Sequence, residues 1–169
     1  MKIIDTKFEK AKLIIPEVFY DFRGEYLETF NKENYKALNV PDEFIQDDIS
    51  ISYKHVLRGF HGDFKTWKLV QCVYGSIYVV IIDNNKESKT YYQWQAFTLN
   101  DKNRYQLLVP PGFGNSLLAM TDIIVYSYKQ TTYYERASQF TIAPFNPYLG
   151  IYWPIAKENI IISERDRNA

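Results

Sequence analysis

From Phe44 onward the chain alternates apolar and polar residues with a period of two, and helical spacing is almost absent. Successive side chains on a strand point to opposite faces, so such alternation specifies half-buried strands. Strands are predicted over 44–52, 56–57, 68–74, 76–83, 91–99, 105–109, 116–119, 123–129 and 140–142. The separators carry turn chemistry: Tyr74-Gly75-Ser76, Asp83-Asn84-Asn85-Lys86, Asn100-Asp101-Lys102-Asn103 and Pro110-Pro111-Gly112. Before Phe44, strands are expected over 12–18 and 25–31 around a polar turn at 19–24. Residues 32–38 are the best helix candidate, closed by Asn39-Val40-Pro41. Short strands at nearly regular spacing predict an all-β jelly-roll barrel with one or two short helices. With no repeat, low-complexity tract or linker, residues 1–169 are expected to form one domain.

Charge and cysteine content narrow the function classes. Lys+Arg and Asp+Glu are both 20, the formal charge is +0 and the pI is about 6.7, so nothing calls for nucleic acid or an anionic membrane. The single cysteine, Cys72, excludes an intrachain disulfide, and its apolar strand-like setting makes it inert core filler. The N-terminal residues show no signal peptide, and no run approaches the ~20 apolar residues of a membrane span. A cytoplasmic location is expected.

The densest chemistry lies between Val56 and Val70, where His61 stands among Arg58 and Lys68 between two apolar runs, read as strand, turn, strand. Two readings fit His61: a hydrogen-bonded structural histidine, or a general base. The neighbouring cations Arg58 and Lys68 are expected to lower its pKa, leaving a neutral imidazole able to accept a proton. The other histidine, His55, sits in a polar stretch and reads as surface. Arg23 reads by itself as an exposed turn arginine, and Gln46-Asp47-Asp48 as the end of a solvated strand. No second histidine accompanies His61, so no metal is expected. Neither G-x-G-x-x-G, G-x-x-x-x-G-K-[ST] nor G-x-S-x-G occurs, which argues against dinucleotide, P-loop and serine-hydrolase chemistry.

Taken over its length, the chain carries an ordered series of motifs. They are Phe22-Arg23-Gly24, Glu28-Thr29-Phe30, Phe44-Ile45-Gln46-Asp47-Asp48-Ile49-Ser50, Val56-Leu57-Arg58-Gly59-Phe60-His61 and Lys68-Leu69-Val70. Pro111-Gly112-Phe113, Tyr128-Lys129-Gln130-Thr131-Thr132-Tyr133-Tyr134, Trp153-Pro154 and Ile162-Ser163-Glu164-Arg165-Asp166 follow. In this order they resemble the dTDP-4-dehydrorhamnose 3,5-epimerase family, cupin-fold enzymes acting on nucleotide-diphosphate 4-keto sugars. The resemblance implies His61 as base, Asp166 as the carboxylate that orients it, Tyr128 as acid on the other face and Lys68 as stabiliser of the enolate oxygen. It implies substrate contacts from Arg58, Arg23, Glu28, Gln46, Asp48, Asn115 and Tyr134, with Arg23 able to come from a neighbouring subunit. It further implies no organic or metal cofactor, a homodimer, and a place in surface polysaccharide assembly.

The chain also departs from the family pattern. Pro111-Gly112-Phe113-Gly114-Asn115-Ser116 has Asn115 where the family usually has a second histidine, and an amide cannot relay a proton near neutrality. That makes inversion at a single carbon, C3 or C5, an open alternative to inversion at both. Asp48 stands where an amide is usual. Gly62 replaces a bulky residue beside the base, and the run to Lys68 is shorter, which is expected to widen the pocket for a larger sugar. These replacements resemble a branch acting on GDP-linked 4-keto-heptoses in capsule assembly, with a dTDP-linked hexose as the alternative substrate. A non-catalytic sugar-nucleotide binder and a 3,4-ketoisomerase are the rival functions.

Overall fold

The computed structural model describes residues 1–41 and 43–169. Among them the chain forms β1 (Lys2–Asp5), β2 (Lys12–Ile15), β3 (Val18–Asp21), β4 (Gly24–Leu27), β5 (Gln46–Tyr53), β6 (Val56–Gly62) and β7 (Lys68–Tyr74). Next come β8 (Ser76–Asp83), β9 (Trp94–Asn100), β10 (Gln106–Val109), β11 (Phe113–Ala119), β12 (Ile123–Gln130), β13 (Phe140–Thr141), β14 (Ile161–Ile162) and the helix α1 (Glu164–Arg167). One sheet has the order β1-β2-β10-β7-β12-β5 and the other β13-β6-β11-β8-β9, with β14 parallel to β6. The strands β3 and β4 form a separate hairpin. This is the expected all-β jelly-roll.

The alternation explains where the core sits. Val70 and Cys72 of β7, Ile77, Val79 and Ile81 of β8, Leu117 and Ala119 of β11, and Ile124 and Tyr126 of β12 pack into one cluster between the sheets. The opposite parity faces outward and is covered in turn. Leu69 and Leu108 pack under Ile14, Tyr35, Leu38 and Trp67. Phe60, Val80 and Ile82 pack under Ile142 and Leu149. Both sheets therefore bury residues on two faces over much of their area, which is why several strands read as almost continuous apolar runs.

Several sequence expectations are corrected. The helix candidate at 32–38 is a 3-10 turn over Asn34–Leu38, ended by Asn39 at φ 53; a segment this short gains little from α-helical propagation and is held by burial of Tyr35 and Leu38. The strand expected over 12–18 is interrupted at Pro16, which has no N–H for the ladder. The strand expected at 56–57 runs on to Gly62, and the turn begins only at Asp63. Asp63 shapes that turn: Oδ1 accepts from Lys65 N at 2.8 Å and Thr66 N at 2.6 Å, and Oδ2 from Thr66 Oγ1 at 2.7 Å. The short edge strands β1 and β14 lie outside every sequence expectation.

Candidate active site

The inward rows that fill the core turn polar at one end of the barrel. Lys68 precedes Val70 and Cys72 in its row, Asn115 precedes Leu117, and Tyr128 and Gln130 follow Ile124 and Tyr126. β6 adds His61, paired in register with Asn115, and Arg58, paired with Leu117 across a register shift. Together these residues line a cleft of about 660 Å³, completed by Tyr134, Arg136, Gln139, Arg165 and Asp166. The cleft is thus the polar end of the same pattern that makes the core.

His61 is tied to the C-terminal segment. Its Nε2 lies 2.7 Å from Asp166 Oδ1, and Asp166 Oδ2 accepts from Gly59 N at 3.1 Å. Ser163 caps α1 by accepting from Asp166 N at 3.2 Å, and β14 anchors the preceding residues to β6. Gly59 lets β11 lie close to β6 beside this pair: its φ is +105, and an added Cβ would lie 2.5 Å from Asn115 O. A carboxylate accepts, so His61 Nε2 carries the hydrogen and Nδ1 keeps its lone pair. Burial lowers the His61 pKa, while Asp166 opposes that shift and Arg165 and Lys68 add to it. The expected lowering is present, but burial is its main cause and Arg165 takes the part assigned to Arg58. Arg58 instead donates from Nε to Ser52 Oγ at 2.8 Å and from Nη2 to Ile51 O at 3.4 Å.

The floor and walls hold the remaining groups. Partial burial lowers the Lys68 pKa, with Asp63 acting in the opposite direction; its side chain reaches Asn115 Oδ1 at 3.5 Å. Asn115 Nδ2 donates to the Tyr126 hydroxyl at 3.2 Å. The Tyr128 ring packs at a tilt of 38° against that of Tyr126, with centroids 5.3 Å apart. Burial raises the Tyr128 pKa, with Asp48 and Tyr134 adding to the shift, so the phenol stays protonated at neutral pH. Asp48 Oδ2 accepts from Gln46 Nε2 at 2.8 Å and Gln130 Nε2 at 2.9 Å, while Gln46 Oε1 accepts from Tyr134 N at 2.9 Å. Gln46 and Asp48 therefore buttress the wall behind Gln130 and Tyr134. Among the described residues no group of three His, Cys, Asp or Glu side chains converges as a metal-ligand set.

Of the residues singled out in the sequence, His61, Lys68, Tyr128, Asp166, Arg58, Asn115 and Tyr134 meet in the cleft. Arg23 and Glu28 do not. Arg23 pairs with Asp21 at the exposed tip of the β3–β4 hairpin, and Glu28 accepts from Asn31 and Asn34. Gly62 does not widen the cleft, because a Cβ there would lie 2.2 Å from Phe113 O and 2.6 Å from Phe140 Cζ. Space beside the base on that side is already filled. His55 is half-buried in the β5–β6 turn at φ 68. Cys72 is buried, and burial pushes its thiol up to about 12, consistent with inert filler. Sequence reasoning missed Tyr126, Arg136 and Arg165. Tyr126 was legible in principle, since it shares the parity of Tyr128 two residues on.

Comparison with known proteins agrees with this geometry. A family model described as dTDP-4-dehydrorhamnose 3,5-epimerase matches residues 5–169. The enzyme of that name from Methanothermobacter thermautotrophicus is 37% identical over 170 residues, covering 99% of this chain and 92% of the relative. A crystal structure of dTDP-6-deoxy-D-glucose-3,5-epimerase from Legionella pneumophila, in complex with dTDP-4-keto-L-rhamnose, superposes with a TM-score of 0.95 at 33% identity. It covers 99% of this chain and 90% of that one. The dTDP-4-dehydrorhamnose 3,5-epimerase structure from Bacillus anthracis, with TDP and PPi bound, gives a TM-score of 0.93 at 35% identity, covering 98% and 96%.

Proposed function

Since the chain belongs to the dTDP-4-dehydrorhamnose 3,5-epimerase family, we propose that its cleft inverts C3, C5 or both in a dTDP-linked 4-keto-6-deoxy sugar. The observation that carries this reading is the half-buried His61 paired at 2.7 Å with the buried Asp166, set beside the half-buried Lys68 in one cleft. A C4 ketone acidifies the hydrogens on its neighbouring carbons. His61 Nδ1 takes one: the C–H bond breaks, an N–H bond forms, and the electron pair moves onto the C4 oxygen. The imidazolium is stabilised by Asp166. The Lys68 charge holds the enolate oxygen, a kind of stabilisation often worth several kcal/mol in a water-excluded site. Tyr128 then gives its hydroxyl proton to the opposite face of the carbon. The phenolate regains a proton from solvent, and the imidazolium loses one to it. Residues 1–169 act as one catalytic domain.

Two features support a homodimer. The outward row of β5 leaves Ile49, Ile51 and Tyr53 exposed, and the hairpin tip carries Phe22 at 98% exposure. Unpaired edges and apolar rows of this kind call for a cover. Arg23, remote from its own cleft, fits a role in the neighbour's site. The GDP-linked heptose reading loses the support that an open space at Gly62 would have given it.

His61→Asn tests the assignment. The expected outcome is loss of epimerisation with unfolding temperature and dimer content unchanged; wild-type turnover in the variant removes His61 from the role of base.

A further inference from the structure

One contact on the cleft floor fixes more than its own geometry. An ammonium has hydrogens to give and no lone pair to receive them, so the Asn115 amide must turn its oxygen toward Lys68. Its Nδ2 then faces the Tyr126 hydroxyl and donates to it at 3.2 Å. The phenol oxygen is thereby used as an acceptor, and its own hydrogen must be spent elsewhere. Among the described residues no acceptor takes it, although the ring is buried to 4% exposure. Tyr126 lines the cleft, so the free direction is the substrate cavity.

We propose that Tyr126 is a second catalytic donor on the floor of the cleft, giving its O–H to the sugar's C4 oxygen alongside the Lys68 ammonium. Asn115 is the positioning residue that aims both groups. As the electron pair moves onto the C4 oxygen, two donors joined through one amide meet the new charge. The amide carries no proton itself. Its place between Lys68 and Tyr126 gives residue 115 a use that needs none. This inference rests on the epimerase reading above.

The test is deuterium exchange at C3 and C5 of a dTDP-linked 4-keto-6-deoxy hexose in deuterated water, with the full-length wild type, Tyr126→Phe, Asn115→Asp and the double variant. Tyr126→Phe removes one oxygen, and kcat is expected to fall about 100-fold with KM changed less than about three-fold, as for loss of one oxyanion donor. Asn115→Asp places an acceptor opposite the phenol and turns its hydrogen away from the cavity. In that background the further change Tyr126→Phe is expected to cost less than about three-fold, a strong non-additivity. Exchange by Tyr126→Phe within about three-fold of wild type, wild-type exchange by Asn115→Asp, or additive losses in the double variant would each overturn the proposal. A wild type with no exchange at all would instead contradict the epimerase reading, so the two failures are distinguishable.

Discussion

At the residue scale, the cleft sets two titrations of opposite consequence. In the proposed reaction the base must be neutral, and burial holds the His61 pKa below its ordinary 6.5. The proposed enolate stabiliser must be charged, and burial holds the Lys68 pKa below its ordinary 10.5. As pH falls through the His61 value the imidazole takes up a proton and stops accepting one from the sugar. As pH rises through the Lys68 value the ammonium is lost. A profile of kcat/KM against pH is therefore expected to be bell-shaped, with an acid limb midpoint below 6.5 and an alkaline limb midpoint below 10.5. Lys68→Met should remove the alkaline limb together with most of the activity, and an unchanged limb would assign it to another group. Tyr128→Phe separates the two half-reactions: abstraction by His61 survives, while protonation from the opposite face slows. Solvent deuterium should then enter with retention faster than the inverted product appears. Inversion at the normal rate would take Tyr128 out of the acid role.

At the element scale, the site depends on close approach between strands. A side chain at Gly62 would run into Phe113 O and the Phe140 ring, both backed by packed neighbours. Gly62→Ala is expected to cost about 1–3 kcal/mol by overpacking, read as a lower denaturation midpoint. Unchanged stability would mean that β6 and β11 separate more easily than their register implies. The period-two pattern predicted β7 and β8 to the residue because both fill the space between the sheets and lie between clear turns. It placed the start of the β6–β7 turn several residues early, because Arg58, Gly59 and His61 look like turn residues when read locally. In the fold, Arg58 and His61 are residues of one continuous strand and both line the cleft. The same reading missed β14, whose two residues have too little pattern to register, though they bring Asp166 to His61. Asp166 itself was reached through family resemblance alone. The distance of 105 residues between His61 and its carboxylate partner is closed by β14 and by the Ser163 cap on α1, contacts that no local pattern encodes.

At the scale of the whole molecule, the barrel supplies a polar cleft at one end, and the proposed homodimer would cover the exposed row of β5 and give Arg23 a site. A homodimer at micromolar concentration is expected by light scattering, and Arg23→Ala should raise KM for the nucleotide sugar without altering the fold. A monomer with full activity would contradict both. No helix among the described residues is long and apolar enough to cross a membrane. The central claim is proton exchange at the carbons flanking a ketone, and NMR of the wild-type protein in deuterated water tests it most directly. With a dTDP-linked 4-keto-6-deoxy hexose, deuterium should appear at C3, C5 or both, faster than with the GDP-linked analogue; absence of exchange at either carbon with both substrates would contradict the account.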